Sequence, residues 1–287
     1  MRLKSERLFM FLMTFPIFRK FPLIRRIADK NRVKARQRID VIKGYVDLHK
    51  ETYDPDHCRD FVDAFLAEIE RNKEDKSTYY TDEQLHWILT DLFLAGTDTT
   101  ATTVYWALVF LSAYPDCQAK VYREVESVLG SDGLPKYGLK ATLPYLQAVI
   151  QETLRMRPPF PISITHKATE DVDLLGYTLP KGTPVAANLW GVQNDPNIWE
   201  NPEEFRPERH INSKGEFVKS DRVIPFSVGL RHCLGKQLAQ MSLYIFMARL
   251  IQHFSFSFPH DQPNPDLRGS SLFVLSPIGI KLTYKVR

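Results

Sequence analysis

The chain has 287 residues, of which 44% are hydrophobic and 25% are charged, an ordinary composition for a globular protein that can bury a sizeable core. Its net charge of +4 is too weakly basic to argue for nucleic acid as a partner. The three cysteines Cys58, Cys117 and Cys233 are odd in number and widely spaced. This excludes a disulfide scaffold and a CxxC metal site, and it favours a reducing compartment.

The N-terminal region contains an apolar run at residues 8–18 that is interrupted by Pro16 and followed by Arg19. A membrane-spanning helix needs about 20 apolar residues, and no small-residue cleavage site follows the run. We therefore expect a core segment or one that lies in a membrane interface. Residues 25–50 are strongly basic with apolar positions at helical spacing, which predicts an amphipathic helix. Its basic face is either simply solvated or in contact with an anionic membrane surface.

Further helices are predicted along the next hundred residues. The pattern indicates helices at about 58–71, 82–113, 115–129 and 143–156, with Pro115 at the start of the third. Thr81 and Gln84 form a capping box before the second, and Thr142 is expected to cap the fourth. The helix at 82–113 is apolar on most sides, so we expect it to be buried.

After Pro161 the chain changes character. Short strands are predicted at 162–165 and 183–188, with a turn at 180–182, and residues 194–210 resemble irregular coil. A last long helix is expected at 234–253, followed by a tail of strands that ends in a hairpin at 276–279. The predicted fold class is mainly α with small β-sheets, an α+β mixture rather than an alternating βα fold.

The segment Phe226–Gly235 has the properties of a thiolate site. A lone cysteine is most often a buried apolar residue. Here, however, Gly229 and Gly235 bracket Cys233 and permit close approach of the backbone to a flat cofactor. Cys233 also lies near the predicted start of a helix, where the helix dipole favours a thiolate, and Arg231 adds a positive charge. These are the conditions that a thiolate ligand to iron requires.

Two helical segments carry further polar signals. Glu152 and Arg155 share a helix face, either as a surface ion pair of little energetic weight or as a buried pair, since the helix is otherwise apolar. The segment that includes Gly96, Asp98 and Thr99 places a glycine and competing polar side chains inside a helix. It is either a kinked core helix with back-bonded hydroxyls or a local opening beside a cofactor.

The segment around Cys233 resembles the haem-binding signature FxxGxRxCxG of the cytochrome P450 family, and every fixed position matches: Phe226, Gly229, Arg231, Cys233 and Gly235. The resemblance implies that Cys233 is the proximal ligand of haem b, that Phe226 packs against the ligand loop and that Arg231 pairs with a haem propionate.

The polar pair in the preceding helix resembles the ExxR motif of the same family. The resemblance implies that Arg209, in Pro207-Glu208-Arg209, completes a buried network with Glu152 and Arg155 that holds the ligand loop. The family often has Phe after this arginine, where this chain has His210, a departure that we expect to be tolerated.

The helical polar segment resembles the oxygen-binding motif of the family. The resemblance implies that Asp98 and Thr99 organise proton delivery during dioxygen activation, and that Ala95 and Gly96 face the haem. His166 matches a position that contacts a propionate in microsomal members, although a lone histidine is more often a satisfied polar residue. The largely apolar segments 160–165 and 272–274 match those that line the substrate pocket.

The function that this resemblance implies is a haem-thiolate monooxygenase that inserts one oxygen atom from O2 into a lipophilic substrate. Electrons would come from NADPH through a flavoprotein reductase that docks near Arg231, His232 and Lys236. The motif order is similar to that of the second animal family, whose members lie at the cytosolic face of the endoplasmic reticulum membrane. The match begins near residue 15 without the expected anchor and first helices, so we expect 1–287 to be a partial domain, roughly the last three-fifths.

Two alternatives remain at this point. The chain could be a truncated product without catalytic activity. It could also be a haem-thiolate isomerase or dehydratase that does not activate dioxygen, a reading that Asp98 and Thr99 argue against because such enzymes can dispense with that pair.

Overall fold

A computed structural model describes residues 22–271 and 274–287. The apolar run at 8–18 and residues 272–273 of the predicted pocket segment lie outside this range. The chain divides into two compact units, residues 1–97 and residues 98–287. Within the described part of the chain, no helix has both the length and the apolar character needed to cross a membrane.

The first unit is helical. It contains α1 (Pro22–Lys50), α2 (Phe61–Arg71) and the first half of α3 (Asp82–Ala113), so the predicted basic helix is confirmed as a helix. Asp60 caps α2, because its carboxylate accepts hydrogen bonds from the amides of Val62 and Asp63 at 2.8 and 3.2 Å. A small apolar core joins the three helices of this unit and consists of Val46, Phe65, Leu66, Leu85 and Leu89.

A buried carboxylate fixes the start of α2. The Nε atom of Arg59 donates to Asp63 at 2.7 Å, and the Nε2 atom of His49 lies 2.8 Å from the same carboxylate. The bonds from Arg59 hold the pKa of Asp63 well below its ordinary value, although burial alone would raise it. The contact between His49 and Asp63 therefore ties the end of α1 to α2.

The long helix α3 has the bounds that the sequence predicts. The hydroxyl of Thr81 accepts a hydrogen bond from the amide of Gln84 at 3.1 Å, while the Thr81 amide donates to the carbonyl of Tyr79. The prediction that the helix is buried is only half right. Residues 91–98 are exposed, whereas residues 106–112 are buried, because only the C-terminal half supplies side chains to the main core.

The second unit holds most of the helices and the main core. After the rest of α3 come α4 (Pro115–Leu129), α5 (Pro144–Met156), the short α6 (Leu189–Gln193) and α7 (Lys236–His253), with 3-10 helices at Tyr137–Thr142 and Pro207–His210. The core is built from α3, α4, α5 and α7, and its completely buried large side chains include Trp106, Phe110, Leu146, Tyr244 and Met247.

The start of α5 differs from the prediction. Thr142 does not cap this helix, because its hydroxyl donates to the carbonyl of Leu139 inside the preceding 3-10 helix. Instead, the carboxylate of Glu124 on α4 accepts the amides of Tyr145 and Leu146 at 2.7 and 2.8 Å. A side chain distant in sequence therefore satisfies the first free amides of α5.

Short antiparallel strand pairs complete the second unit. Strand β1 (His166–Lys167) pairs with β4 (Pro184–Val185), β2 (Val172–Leu174) with β3 (Tyr177–Leu179), β5 (Phe254–Ser257) with β8 (Thr283–Val286), and β6 (Ser270–Ser271) with β7 (Leu275–Ser276). The predicted turn at 180–182 is confirmed, with Gly182 at φ +89° and the Thr183 amide bonded to the Pro180 carbonyl.

Two strand predictions are wrong. Residues 162–165 form no strand, since the chain pairs regularly only from His166 onward. The turn near Gly279 does not close a hairpin, because β7 and β8 on either side of it pair with β6 and β5 instead. The fold class is nevertheless confirmed as mainly α with small antiparallel sheets.

Candidate functional site

A tight loop precedes α7 and carries the predicted thiolate. The amide of Cys233 donates to the carbonyl of Phe226 at 2.9 Å, which closes the loop across its base. Gly229 has φ +79°, a left-handed conformation that glycine adopts without strain. The side chain of Phe226 packs against the main core, so the loop is anchored at the residue that also receives the Cys233 amide.

The thiol of Cys233 lies on an exposed surface and is free. A β-carbon at Gly235 would lie 4.0 Å from the Cys233 sulfur, in ordinary van der Waals contact. Three apolar side chains of the loop, Val228, Leu230 and Leu234, are also exposed. The loop therefore carries exposed apolar side chains before and after Cys233 in the chain.

The first turn of α7 follows the cysteine closely. The helix begins at Lys236 rather than at the predicted 234, with Gly235 at its N-cap position. The Lys236 amide donates to the Cys233 carbonyl at 3.3 Å, and the Ala239 amide donates to the Gly235 carbonyl at 2.8 Å. Cys233 therefore directly precedes the N-terminus of α7, where the positive end of a helix dipole lies, and Arg231 of the same loop is exposed.

A buried ionic network centres on Glu152. Its carboxylate accepts Nε and Nη2 of Arg155, each at 2.9 Å, and Nε of Arg209 at 2.9 Å. Glu152 and Arg155 are completely buried and the Arg209 side chain is 7% exposed. Burial alone would raise the pKa of Glu152, but the bonds from His210 and Arg155 outweigh it and lower this pKa to about 2.

A further partner of this carboxylate is His210, which the sequence analysis did not assign to the network. Its Nε2 atom lies 2.9 Å from Glu152 Oε2, and its Nδ1 atom lies 2.9 Å from the side-chain Nε2 atom of Gln151. If Nδ1 accepts from the Gln151 amide, then Nε2 carries the proton and donates to Glu152. The sequence offered one signal for this role, namely that His210 directly follows Arg209, which was predicted to bind Glu152.

The network also binds the chain that leads to the loop. The side-chain nitrogen of Gln151 donates to the Val218 carbonyl at 3.3 Å, and the Ser220 amide donates to the Gln151 side-chain oxygen at 3.4 Å. Arg155 donates to the carbonyls of Gln193 and Pro202, each at 2.8 Å. Helix α5 therefore holds several segments of irregular backbone that lie before Cys233 in the chain.

The predicted oxygen-binding segment lies within α3. The chain is helical at every residue from Asp82 to Ala113, so the helix shows no interruption at Gly96. Its hydroxyls bond back to the helix, as Thr97 does to the Phe93 carbonyl at 2.7 Å and Thr103 to the Thr99 carbonyl at 2.9 Å. Ala95 and Gly96 belong to the first unit and are exposed, whereas Asp98 and the half-buried Thr99 belong to the second.

His166 opens strand β1 and pairs with Val185 of β4. Its side chain is exposed. The structure places it in the same unit as Cys233, on a two-stranded sheet that precedes α6.

The residues around Cys233 suit a haem group. An exposed thiol at a helix N-terminus supplies the soft ligand that haem-thiolate iron takes. The exposed apolar side chains Val228, Leu230 and Leu234 offer surface that a flat, apolar macrocycle would cover. Arg231 provides a cation for a propionate.

Comparison with known proteins identifies the family. The sequence profile of the family Cytochrome P450 matches residues 1–284, so the chain belongs to the cytochrome P450 family. Relatives include cytochrome P450 2U1 of Homo sapiens, 39% identical over 86% of this chain and 45% of that protein. Cytochrome P450 2D3 of Rattus norvegicus is 40% identical over 92% of this chain and 54% of that protein. Cytochrome P450 2D6 of Homo sapiens is 41% identical over 80% of this chain and 46% of that protein.

The chain spans about half the length of these relatives. The family confirms the resemblance that the loop at Cys233 and the ExxR pair suggested.

Proposed function

We propose that the chain provides the thiolate side of a haem monooxygenase that inserts one oxygen atom from O2 into a lipophilic organic substrate. The observation that carries this proposal is the loop from Phe226 to Gly235. It presents an exposed Cys233 thiol at a helix N-terminus, is closed by the Cys233–Phe226 hydrogen bond, and is surrounded by exposed apolar side chains.

In the proposed mechanism, the Cys233 thiolate would hold the iron of haem b. The bound haem would supply the chemistry of dioxygen activation, which side chains alone do not provide. The helix N-terminus beyond Gly235 and the cation of Arg231 stabilise the negative charge that the sulfur must carry. Arg231 and His166 would each bind a haem propionate, because both offer hydrogen-bond donors on exposed surface.

The polar residues of α3 would deliver protons to the reacting centre. Cleavage of the O–O bond consumes protons, so a donor must be held near the reacting centre. The Thr99 hydroxyl and the Asp98 carboxylate are adjacent on α3, where they would hold and pass those protons. The network of Glu152, Arg155 and Arg209 would stabilise the backbone that leads to the ligand loop.

The partners follow from the same proposal. Electrons would reach the haem from NADPH through a flavoprotein reductase that docks on the basic groups Arg231, His232 and Lys236 of the cysteine loop and the first turn of α7. The protein would act at the cytosolic face of the endoplasmic reticulum membrane, where lipophilic substrates concentrate.

The test is the carbon monoxide difference spectrum of the dithionite-reduced, haem-loaded chain. We expect a red-shifted Soret band in the wild type and its loss in Cys233→Ser, because only a thiolate ligand produces that shift. Cys58→Ser is the matched control, since Cys58 is also an exposed free cysteine, and it should retain the band.

A band that survives in Cys233→Ser would contradict the ligand assignment. Failure of the wild-type chain to take up haem would favour the truncated, non-catalytic alternative.

A further inference from the structure

A half-buried arginine follows α5 directly and binds a distant part of the chain. Arg157 donates from Nε and Nη2 to the carbonyl of Leu267 at 3.0 and 2.7 Å, and from Nη1 to the Met156 carbonyl at 2.7 Å. Its guanidinium lies over the rings of Trp106 and Phe110, at 5.4 and 5.8 Å from their centroids. Burial lowers the pKa of Arg157. The Arg157 guanidinium thus loses part of its hydration, and backbone carbonyls and aromatic ring faces replace the lost water.

The same indole ring fixes strand β7. Trp106 is completely buried, and its Nε1 atom donates to the Leu275 carbonyl at 2.8 Å. The Leu275 amide donates to the Pro159 carbonyl at 2.8 Å. Gly269 has φ +75°, and a β-carbon there would lie 2.5 Å from the Trp106 ring. The chain on both sides of the β6–β7 hairpin is therefore held against α3 and the residues after α5.

Strand β7 leads into one wall of an open cavity of about 390 Å³. The opposite wall is α3, through Ala101, Thr102 and Tyr105, and the β7 side comprises residues 276–280. The Tyr105 hydroxyl donates to the Ile280 carbonyl and links the two walls. Since Asp98 lies three residues before Ala101 and four before Thr102, it shares their helix face, and the position of β7 sets the shape of the space beside this proposed proton-delivery residue.

We infer that Trp106 and Arg157 are positioning residues that fasten the β6–β7 hairpin and thereby set the wall of this cavity against which a lipophilic substrate lies. The inference rests on the proposed function for its substrate, but the fastening itself is a property of the chain. Neither residue touches the reacting atoms in this scheme. Both act through the backbone of Leu267 and Leu275.

The first experiment measures amide hydrogen exchange, with or without haem. In Arg157→Gln we expect exchange in peptides covering 266–276 to accelerate about tenfold or more, since local opening becomes easier when buried hydrogen bonds are lost. Trp106→Phe keeps an aromatic ring but removes the donor to Leu275, and it should accelerate the same peptides. Arg157→Lys keeps the positive charge and a hydrogen-bond donor, so its amides in this segment should be better protected against exchange than those of Arg157→Gln.

Arg268→Gln is the matched control. Arg268 directly follows Leu267, in the segment before β6, and carries the same charge as Arg157. Its side chain, however, is 87% exposed and bonds to Asp266. If Arg157→Gln alters exchange no more than Arg268→Gln does, the fastening role is wrong.

The second experiment separates positioning from general structural damage. In the haem-loaded chain, imidazole should bind the iron of Arg157→Gln and of Trp106→Phe within about twofold of wild type. 1-Dodecylimidazole, whose chain must lie along the cavity wall, should bind about tenfold more weakly. The thiolate-type carbon monoxide band should stay unchanged.

Equal weakening of both azoles would overturn the inference, because it would indicate damage to the haem site as a whole. If the wild-type chain takes up no haem, the proposed function fails for this chain, and hydrogen exchange alone decides whether Arg157 and Trp106 fasten the hairpin.

Discussion

Replacement of His210 by phenylalanine tests how the Glu152 network is held together. The change removes the 2.9 Å contact to Glu152 and leaves the side-chain nitrogen of Gln151 with only its 3.3 Å bond to Val218 among the bonds described. A hydrogen bond to a buried charged group contributes about 1.5–3 kcal/mol, and an unsatisfied donor adds about 1 kcal/mol. The more apolar ring recovers about 1 kcal/mol on burial. We therefore expect His210→Phe to lower the free energy of unfolding by about 2 kcal/mol at pH 7.

The pH dependence of this loss has a definite sign. The folded-state pKa of Glu152 is about 2, below its ordinary value of 4.5, so the carboxylate contributes stability above pH 4.5 that is lost as the pH falls toward 2. Because the bond from His210 is one of the causes of the lowered pKa, the variant has a smaller shift and less of this stability to lose. The difference between wild type and His210→Phe should shrink as the pH falls from 4.5 to 2.

Urea unfolding followed by tryptophan fluorescence measures the effect. The second unit contains most of the fluorophores, namely Trp106, Trp190 and Trp199. His260→Phe, at an exposed histidine, is the control and should change stability little. In a double-mutant cycle with Gln151→Leu, the loss of unfolding free energy in the double variant should be about 1 kcal/mol smaller than the sum of the two single losses. The reason is that either change alone already breaks the contact between His210 and Gln151. A loss below about 0.5 kcal/mol, or one independent of pH through the acid range, would refute the role given to His210.

Two further predictions concern the half-buried carboxylate of Glu124 and the buried carboxylate of Asp63. Glu124→Gln should lower the free energy of unfolding by about 1–2 kcal/mol, since an amide cannot accept both first amides of α5. Urea unfolding checks this, with the exposed Glu126→Gln as control, and equal stabilities of the two variants would contradict it. Asp63→Asn should accelerate amide exchange at the start of α2, because the ion pair with Arg59 is lost. The wild-type protection there should fade as the pH drops below about 3.8, and a variant with unchanged exchange at neutral pH would disprove the assignment.

Much of the architecture was predictable because local chemistry dictates it. Pro115 and Thr81 set the starts of α4 and α3 correctly, since a proline at the first helical position and a threonine cap act within a few residues. The start of α5 was not predictable in this way. Its cap is Glu124, whose position depends on how α4 and α5 pack, and no local pattern reveals that.

The strand errors have a similar cause. Residues 254–257 pair with 283–286 across an intervening hairpin, so the turn near Gly279 connects strands that do not pair with each other. A turn in the sequence predicts a reversal of the chain but not the partner of each strand. The exposure of residues 91–98 was likewise missed, because helical periodicity describes which face is apolar and not what covers it.

The candidate site was predictable where a motif fixed it and not where packing did. The loop at Cys233 and the pair Glu152–Arg155 follow from residue type and spacing. His210 and Arg157 were not recognised, because their roles depend on a carboxylate and a carbonyl brought close by the fold.

Helix α5 explains why charged groups far from the thiolate matter to it. Glu124 fixes the first turn of this helix, Glu152 in its middle binds the segment that leads toward Cys233, and Arg157 at its end holds the chain before β6. An apolar helix of the same shape would pack into the core as well, but it would not specify which carbonyls and amides of irregular backbone lie against it. The hydrogen bonds of these charged groups do specify them, because each bond is directional and holds one particular backbone donor or acceptor at a set distance. These bonds therefore fix, from the buried side of the molecule, irregular backbone that leads toward the exposed loop around Cys233.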